Sequence, residues 1–433
     1  MGSAQFKIRE LGMDYVLMVD CTDVTSAIII AANKRGVGVI FVRSELTRNH
    51  TSLTNEFFSE NTVETYDIES PLDAKKIEDV MRRISKKYPI SFVFTPLDDI
   101  VEPVAAAAKS ANLKGTSHLG VANAKNKALA RELLKAEKLT QCGYRTCRTL
   151  GELPAAVSFI GYPCIVKPVS GFAKYLTAHL ETPQDLRKFM DEYVSTRNDI
   201  DCAFRTFISD EYTVEEYICG QMYSAEVAKN EHGFYPLMLT KRDRAKHNEL
   251  LEIESTMAPR GHYPDESAIF EYCEKVVDCL KLDVGIFHIE VIVNEGGVDL
   301  VEVNPRFMGG ALSTLFQKST SLSAFDILLD TYLGKVVDIQ TKSRLFSTSR
   351  RLAPMEKTIA QATVDAGYIK EHFPWVREHS IAIHKGQTIL PMTGNDSSLG
   401  YIHIVAEHYS TALDQAKATI NMISVATGIK LAN

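Results

Sequence analysis

Short β-branched apolar runs alternate with amphipathic stretches over residues 14–118. The runs DYVLMVD (14–20), GVGVIFV (36–42) and ISFVFTP (90–96) are short and valine- and isoleucine-rich, as buried strands are. TSAIIIAANKRG, between the first two, has helical spacing and a glycine stop, and DIVEPVAAAAKSANL after the third predicts another helix. Alternation of this kind implies a parallel sheet with crossover helices. A helix is expected over 123–137 (NAKNKALARELLKAE). A different region opens at YPCIVKPVSG (162–171), with strands expected at 212–218, 222–229, 235–241, 284–294 and 298–304. Beyond about residue 335, strands punctuated by Pro, Gly and Ser precede an amphipathic helix at 410–426. The expected architecture is α/β and α+β multidomain. It comprises an N-terminal α/β domain (1–120), a central catalytic region (121–335) with a small lid at about 150–215, and a C-terminal α+β cap (336–433).

Length and composition narrow the class. A chain of 433 residues is too long for one ordinary core, and 45% hydrophobic with 24% charged residues is a soluble globular balance. A net charge of −7 and the lack of a basic stripe exclude nucleic acid as a main partner. AIIIAA (27–32), among the longest apolar runs, falls far short of the roughly 20 residues a membrane helix needs. The start, MGSAQFKIRE, lacks the features of a secretory signal. Eight cysteines without CxxC spacing read as reduced thiols, which points to a cytoplasmic protein. DCTDVTS follows the first strand where a dinucleotide fold would carry GxGxxG, which argues against a dehydrogenase.

The chemistry concentrates in GIFHIEVIVNEGGVDLVEVNPRFMGG. Side chains alternate across a strand, so His288 and Glu290 share one face, as do Glu302 and Asn304. NEGG (294–297) reads as a hairpin turn, which brings Glu290 near Glu302 and Asn304. Two carboxylates and a carboxamide suit a hard cation such as Mg²⁺, which completes its octahedron with water and phosphate. The plain alternative is a solvated sheet face paired with Arg306. Arg306 itself adds a fixed positive charge at the strand end, and Gly309 and Gly310 let backbone approach a substrate. Lys167 sits on a strand too apolar for an unpaired ammonium, so it needs an anionic partner. SGFAK (170–174) beside it reads as a short phosphate-facing loop, or simply as a loop. Lys127 opens a basic helix, where a solvated lysine is the ordinary case. TVEEYI (213–218) has Glu215 and Glu216 on opposite faces, and a second strand carries Glu226. Lys241, Arg242 and Arg244 form a cationic group directed at phosphate or carboxylate, or lie on a solvated loop. His262 and His288 are candidates for lining a substrate site, or structural histidines.

In order along the chain these residues resemble the ATP-grasp superfamily and, within it, carboxylate–amine ligases. The paired strands ending in E-x-N-P-R are the most specific part. The wording FHIEV…LVEVNPRFMGG is similar to L-amino-acid (dipeptide) ligases and carnosine-synthase-like enzymes. The resemblance implies an ATP-grasp fold and an ADP-forming ligase that joins a small carboxylate to an amine through an acylphosphate. It assigns Lys127 and Lys167 to ATP phosphates, and Glu215, Glu216, Tyr217 and Ile218 to the adenine hinge. Glu226 falls near the ribose or metals, while Lys241 is a nucleotide-contact candidate from its own charge. Glu290, Glu302 and Asn304 are the implied metal ligands, with Glu302 bridging if two Mg²⁺ bind; Mn²⁺ can substitute. Arg306 is the implied catalytic cation, with Lys127 and Lys167 beside it in that role; His262, His288, Gly309 and Gly310 are substrate-contact candidates on their own residue chemistry. A homodimer is compatible with the family. Departures are Met222 where relatives carry an acid, a glycine-poor phosphate loop, and Asn126 where an aspartate often precedes the first lysine. Rival readings are a biotin-carboxylase-like enzyme, a glycinamide-type purine-pathway ligase and a nucleotide-binding protein without chemistry.

Overall fold

The computed structural model describes residues 13–171, 174–200, 202–341, 343–394 and 397–432. The N-terminal segment and residues 172–173 of the SGFAK loop lie outside the described residues. The apolar runs at the start form strands β1 (Tyr15–Val19), β2 (Gly38–Arg43), β3 (Glu64–Asp67) and β4 (Ile90–Phe94), all parallel in the order β3-β2-β1-β4. β1 is buried along its whole length because helices cover both faces, so an unbroken apolar run is what a central parallel strand requires. Helices Ala27–Lys34, Asn55–Asn61 and Ala74–Ser85 lie in the crossovers, and Val101–Ser110 follows β4.

The expected helix at 123–137 is two helices, His118–Lys125 and Lys127–Ala136. Asn126 breaks it. Its Oδ1 accepts a hydrogen bond from the Leu129 amide at 2.9 Å, capping the second helix with a side chain that competes with helical continuation. The break sets Lys127 in a first turn, where its amide donates to the Val169 carbonyl at 3.0 Å.

A small antiparallel sheet follows, built from β5 (Tyr144–Cys147), β6 (Cys164–Pro168), β7 (Ala178–Leu180) and β8 (Tyr212–Glu216) in the order β5-β8-β6-β7. The largest sheet has eight strands. Its members are β9 (Gln221–Asn230), β10 (Gly233–Ala245), β11 (Asn248–Met257), β12 (Gly285–Asn294), β13 (Gly297–Asn304), β14 (Phe346–Arg351), β16 (Val376–Ile381) and β18 (Gly400–Ala406). Their order is β13-β12-β9-β10-β11-β14-β18-β16, and a separate two-stranded pair joins β15 (Thr358–Ile359) and β17 (Thr388–Ile389). β11 is absent from the sequence expectation because its acidic residues mask the strand pattern. Arginines on neighbouring strands neutralise them: Arg242 pairs with Glu252, Arg244 with Glu249 at 3.4 Å, and Arg350 with Glu254 at 3.5 Å. LTKRDRAKH is accordingly strand and hairpin rather than a solvated loop. The helix Tyr409–Thr427 packs Ala412, Ala416, Ile420 and Ile423 against this sheet with Ile402 and Ile404 of β18.

Candidate active site

Between the small sheet and the eight-stranded sheet lies a cavity of about 500 Å³. The chain crosses from one sheet to the other at 217–220. Gly220 has φ +151°, and a Cβ there would stand 2.4 Å from the Val293 carbonyl oxygen, so only glycine fits this crossing. The Asn294 amide donates to the Cys219 carbonyl at 3.0 Å and holds the crossing against β12.

The hairpin of β12 and β13 forms in the register its alternation predicts. Glu290 lies opposite Glu302 and His288 opposite Asn304, and all four line the cavity. Lys127 Nζ stands 3.3 Å from Glu302 Oε2, and the Asn304 amide is 3.2 Å from Glu302 Oε1. Burial pushes the Glu302 carboxyl up, but the Lys127 and Lys167 ammoniums outweigh it and hold the group far below the usual carboxylate range. Glu290 is also held low: burial opposes ionisation, and the hydrogen bond from His288 overcomes it.

Lys167 finds its anion in Glu215. The ammonium lies 2.9 Å from Glu215 Oε2 and 3.4 Å from the Val301 carbonyl of β13. Arg131 reaches the same carboxylate at 2.7 Å and Asp299 at 3.4 Å. Burial raises the Glu215 pKa, yet Arg131 and then Lys167 bring it down to about 2. Burial lowers the Lys167 pKa, with Glu215 offsetting part of the effect. The Glu215 side chain is thus committed to two cations, while its backbone is held in β8 between β5 and β6. Glu216 points the other way, exposed, and accepts from the Gly143 amide at 2.8 Å. Tyr217 stacks on His179 at 4.2 Å, and Ile218 lines the cavity beside them.

At the other end Arg306 Nε lies 3.7 Å from Asp98 Oδ1, and its Nη1 donates to the Phe307 carbonyl at 2.9 Å. Gly309 and Gly310 line the cavity, Gly310 with φ +56°.

Three expected contacts stand elsewhere. Lys241 is not among the cavity-lining residues and pairs with Asp243 at 2.8 and 3.0 Å, because alternation on β10 sends Arg242 and Arg244 inward instead. His262 is outside the cavity, ringed by Tyr263, Phe346 and Tyr409 at centroid distances of 5.1, 4.8 and 4.9 Å. Glu226 is fully buried beneath the cavity wall, against His288. His288 lines the wall, but both its ring nitrogens face carboxylates. Residues absent from the sequence expectation also line the cavity, namely Asp98, Asp99, Arg131 and Glu252, together with Lys174, the end of the expected SGFAK loop. Asp98 and Asp99 had a readable signal, since they follow the carboxyl end of a parallel strand, where such sheets collect ligands. Arg131 had a weaker one, an arginine between the buried Ala130 and Leu134 on an amphipathic helix. Lys174 reaches Glu252 and the Leu250 carbonyl across the cleft.

Among the described residues, no group of three or more His, Cys, Asp and Glu side chains is arranged to hold a metal. Glu290, Glu302 and the Asn304 carboxamide instead form a set of two ionised carboxylates and a neutral oxygen. That donor set fits a hard cation whose other ligands come from phosphate and water.

A family model for the ATP-grasp domain matches residues 160–315, the stretch that holds β6, the crossing and the β12–β13 hairpin. Residues 160–315 thus form an ATP-grasp domain. A solved L-amino acid ligase from Bacillus licheniformis superposes on this chain with a TM-score of 0.74 at 17% identity, covering 97% of this chain and 99% of that one. The uncharacterized protein y4rH of Sinorhizobium fredii is 23% identical over 331 residues, 76% of this chain and 67% of its own length. A formate-dependent phosphoribosylglycinamide formyltransferase of Erythrobacter litoralis is 26% identical over 53% of this chain, and the match spans only 57% of that enzyme.

Proposed function

We propose that this chain activates a small carboxylate, an amino acid, as an acylphosphate and passes the acyl group to an amine to form an amide or dipeptide. The observation that carries the reading is the Glu290–Glu302–Asn304 face set against Lys127 and Lys167 in one cavity. A carboxylate oxygen attacks the γ-phosphorus of ATP, the bond to the β-phosphate oxygen breaks, and ADP departs. The amine nitrogen then attacks the acyl carbon, loses a proton, and inorganic phosphate leaves. Lys127 and Lys167 neutralise phosphate charge, the backbone of Glu216 and Ile218 receives the adenine edge, and Tyr217 flanks it. Glu290, Glu302 and Asn304 would hold Mg²⁺, which would supply further charge neutralisation on the phosphates. Arg306 steadies the anion that develops at the acyl centre. The small sheet of β5 to β8 serves as the lid that keeps water from the acylphosphate.

The B. licheniformis ligase supports amino acids as substrates. The sequence relation to the E. litoralis formyltransferase favours a second reading, in which formate is activated and a phosphoribosylglycinamide accepts it. Amino acids tested in pairs for ADP release, with mass detection of product, against formate plus phosphoribosylglycinamide, separate the two. Nucleotide binding without product in any arm would reject both in favour of a protein that binds without turnover. The eight cysteines are free, and no helix among the described residues is long and apolar enough to cross a membrane; both accord with a cytoplasmic setting.

A further inference from the structure

At and beneath the cavity wall, the eight-stranded sheet carries two polar side chains that the proposed chemistry does not use, Glu226 and His288. Across β9, β12 and β13, Glu226 lies opposite His288 and His288 opposite Asn304. One step along, Ser224, Glu290 and Glu302 form the adjacent row. Glu226 has no exposed surface, sits between the buried Ala225 and Val227, and its Oε2 has no hydrogen-bond partner among the described residues. Its Oε1 is 2.5 Å from His288 Nδ1, and the other ring nitrogen, Nε2, is 3.3 Å from Glu290 Oε1. A carboxylate buried among apolar neighbours is costly unless something nearby compensates it, and His288 is the group that does so. The same ring has no nitrogen left for a substrate. Its second contact falls on one oxygen of Glu290, the carboxylate that faces Glu302.

We infer that Glu226 and His288 are positioning residues for the divalent-ion site: Glu226 locks the imidazole, and the imidazole fixes the Glu290 carboxylate opposite Glu302. Partners of this kind orient ion ligands from behind without touching the ion, and their loss commonly weakens ion binding 10–100-fold. The inference rests on the ion-binding role proposed above for Glu290 and Glu302.

Mn²⁺ titration of the full chain in the presence of ADP, followed by paramagnetic resonance, tests it. Glu226→Ala is expected to weaken Mn²⁺ binding about 10–100-fold, with ADP affinity in the absence of divalent ion changed less than about twofold. Glu226→Gln keeps an acceptor for Nδ1 and is expected to recover most of the loss. Turnover of Glu226→Ala should return at saturating Mg²⁺, so that the defect appears in the ion requirement rather than in kcat. Should Glu226→Ala fail to fold, the double variant Glu226→Leu/His288→Phe removes both buried polar groups together and is expected to show the same loss of Mn²⁺ affinity. Mn²⁺ affinity within about twofold of the parent in either folded variant overturns the inference. Unchanged Mn²⁺ affinity in Glu302→Ala would instead overturn the ion-binding role itself, which separates the two failures.

Discussion

Lys127 and Lys167 show how much of the site one side chain can carry and how little a sequence says about its partners. Lys167 had to find an anion, because a strand as apolar as β6 does not accept a bare ammonium. That the anion is Glu215, shared with Arg131 across 84 positions of sequence, is a tertiary fact with no local signature. Glu290, Glu302 and Asn304 were legible because strand parity and a short turn place them on one face without long-range information. Two predictions belong here. Glu302→Ala is expected to lower substrate-dependent ADP release by 100-fold or more, equivalent to about 3 kcal/mol of transition-state stabilisation; a coupled ADP assay measures it. Glu215 titrates near 2 in the folded chain against an ordinary 4.5. Its depressed value contributes stability that is complete above the unfolded pKa and is lost as pH falls from 4.5 towards 2. Glu215→Gln should therefore cost about 3 kcal/mol at neutral pH and far less at pH 2. Urea unfolding of both proteins at pH 7 and pH 3 should show the gap already narrowed at the lower pH.

Elements were predictable where one period dominates and missed where charge interrupts it. The parallel strands at the start are near-continuous apolar runs, and the expected sheet of crossovers follows from them. β11 escaped because Glu249, Glu252 and Glu254 look like solvent-facing residues until Arg244, Arg242 and Arg350 are placed beside them. The broken helix at Asn126 is a case of local side-chain chemistry overriding helical periodicity. Asn126→Ala should cost about 1 kcal/mol through loss of the cap, and it should raise the KM for ATP because Lys127 sits in the turn that the cap holds. Thermal unfolding and an ATP titration of the variant report the two effects separately. At the crossing between sheets, Gly220→Ala puts a methyl group against the Val293 carbonyl in a backbone region closed to other residues. We expect a loss of about 2 kcal/mol and a weaker nucleotide affinity, measured in the same two experiments.

For the whole molecule, the order of the large sheet explains why composition and spacing alone could not draw it. Strands from 285–304 flank β9 on one side, while strands from 346–406 extend the other edge beyond β11. Chain order and spatial order therefore part between β11 and β12 and again between β13 and β14, and the C-terminal cap cannot be told from an independent domain by sequence. Its removal would uncover the β11 edge, where Glu254 to Met257 pair with β14, and strip the apolar layer formed by the helix Tyr409–Thr427. A chain truncated at residue 335 is expected to aggregate rather than accumulate in soluble form, which expression and sedimentation would measure.

The 3.3 Å contact of Lys127 with Glu302 has a thermodynamic consequence. A nucleotide arriving without a divalent ion must draw the ammonium away and strand a carboxylate, whereas an ion arriving without nucleotide must lodge beside a like charge. Together, each relieves the other's penalty. The two ligands should bind with reciprocal positive cooperativity, each tightening the other's affinity by one common factor, and replacing Lys127 with methionine should erase most of that mutual gain.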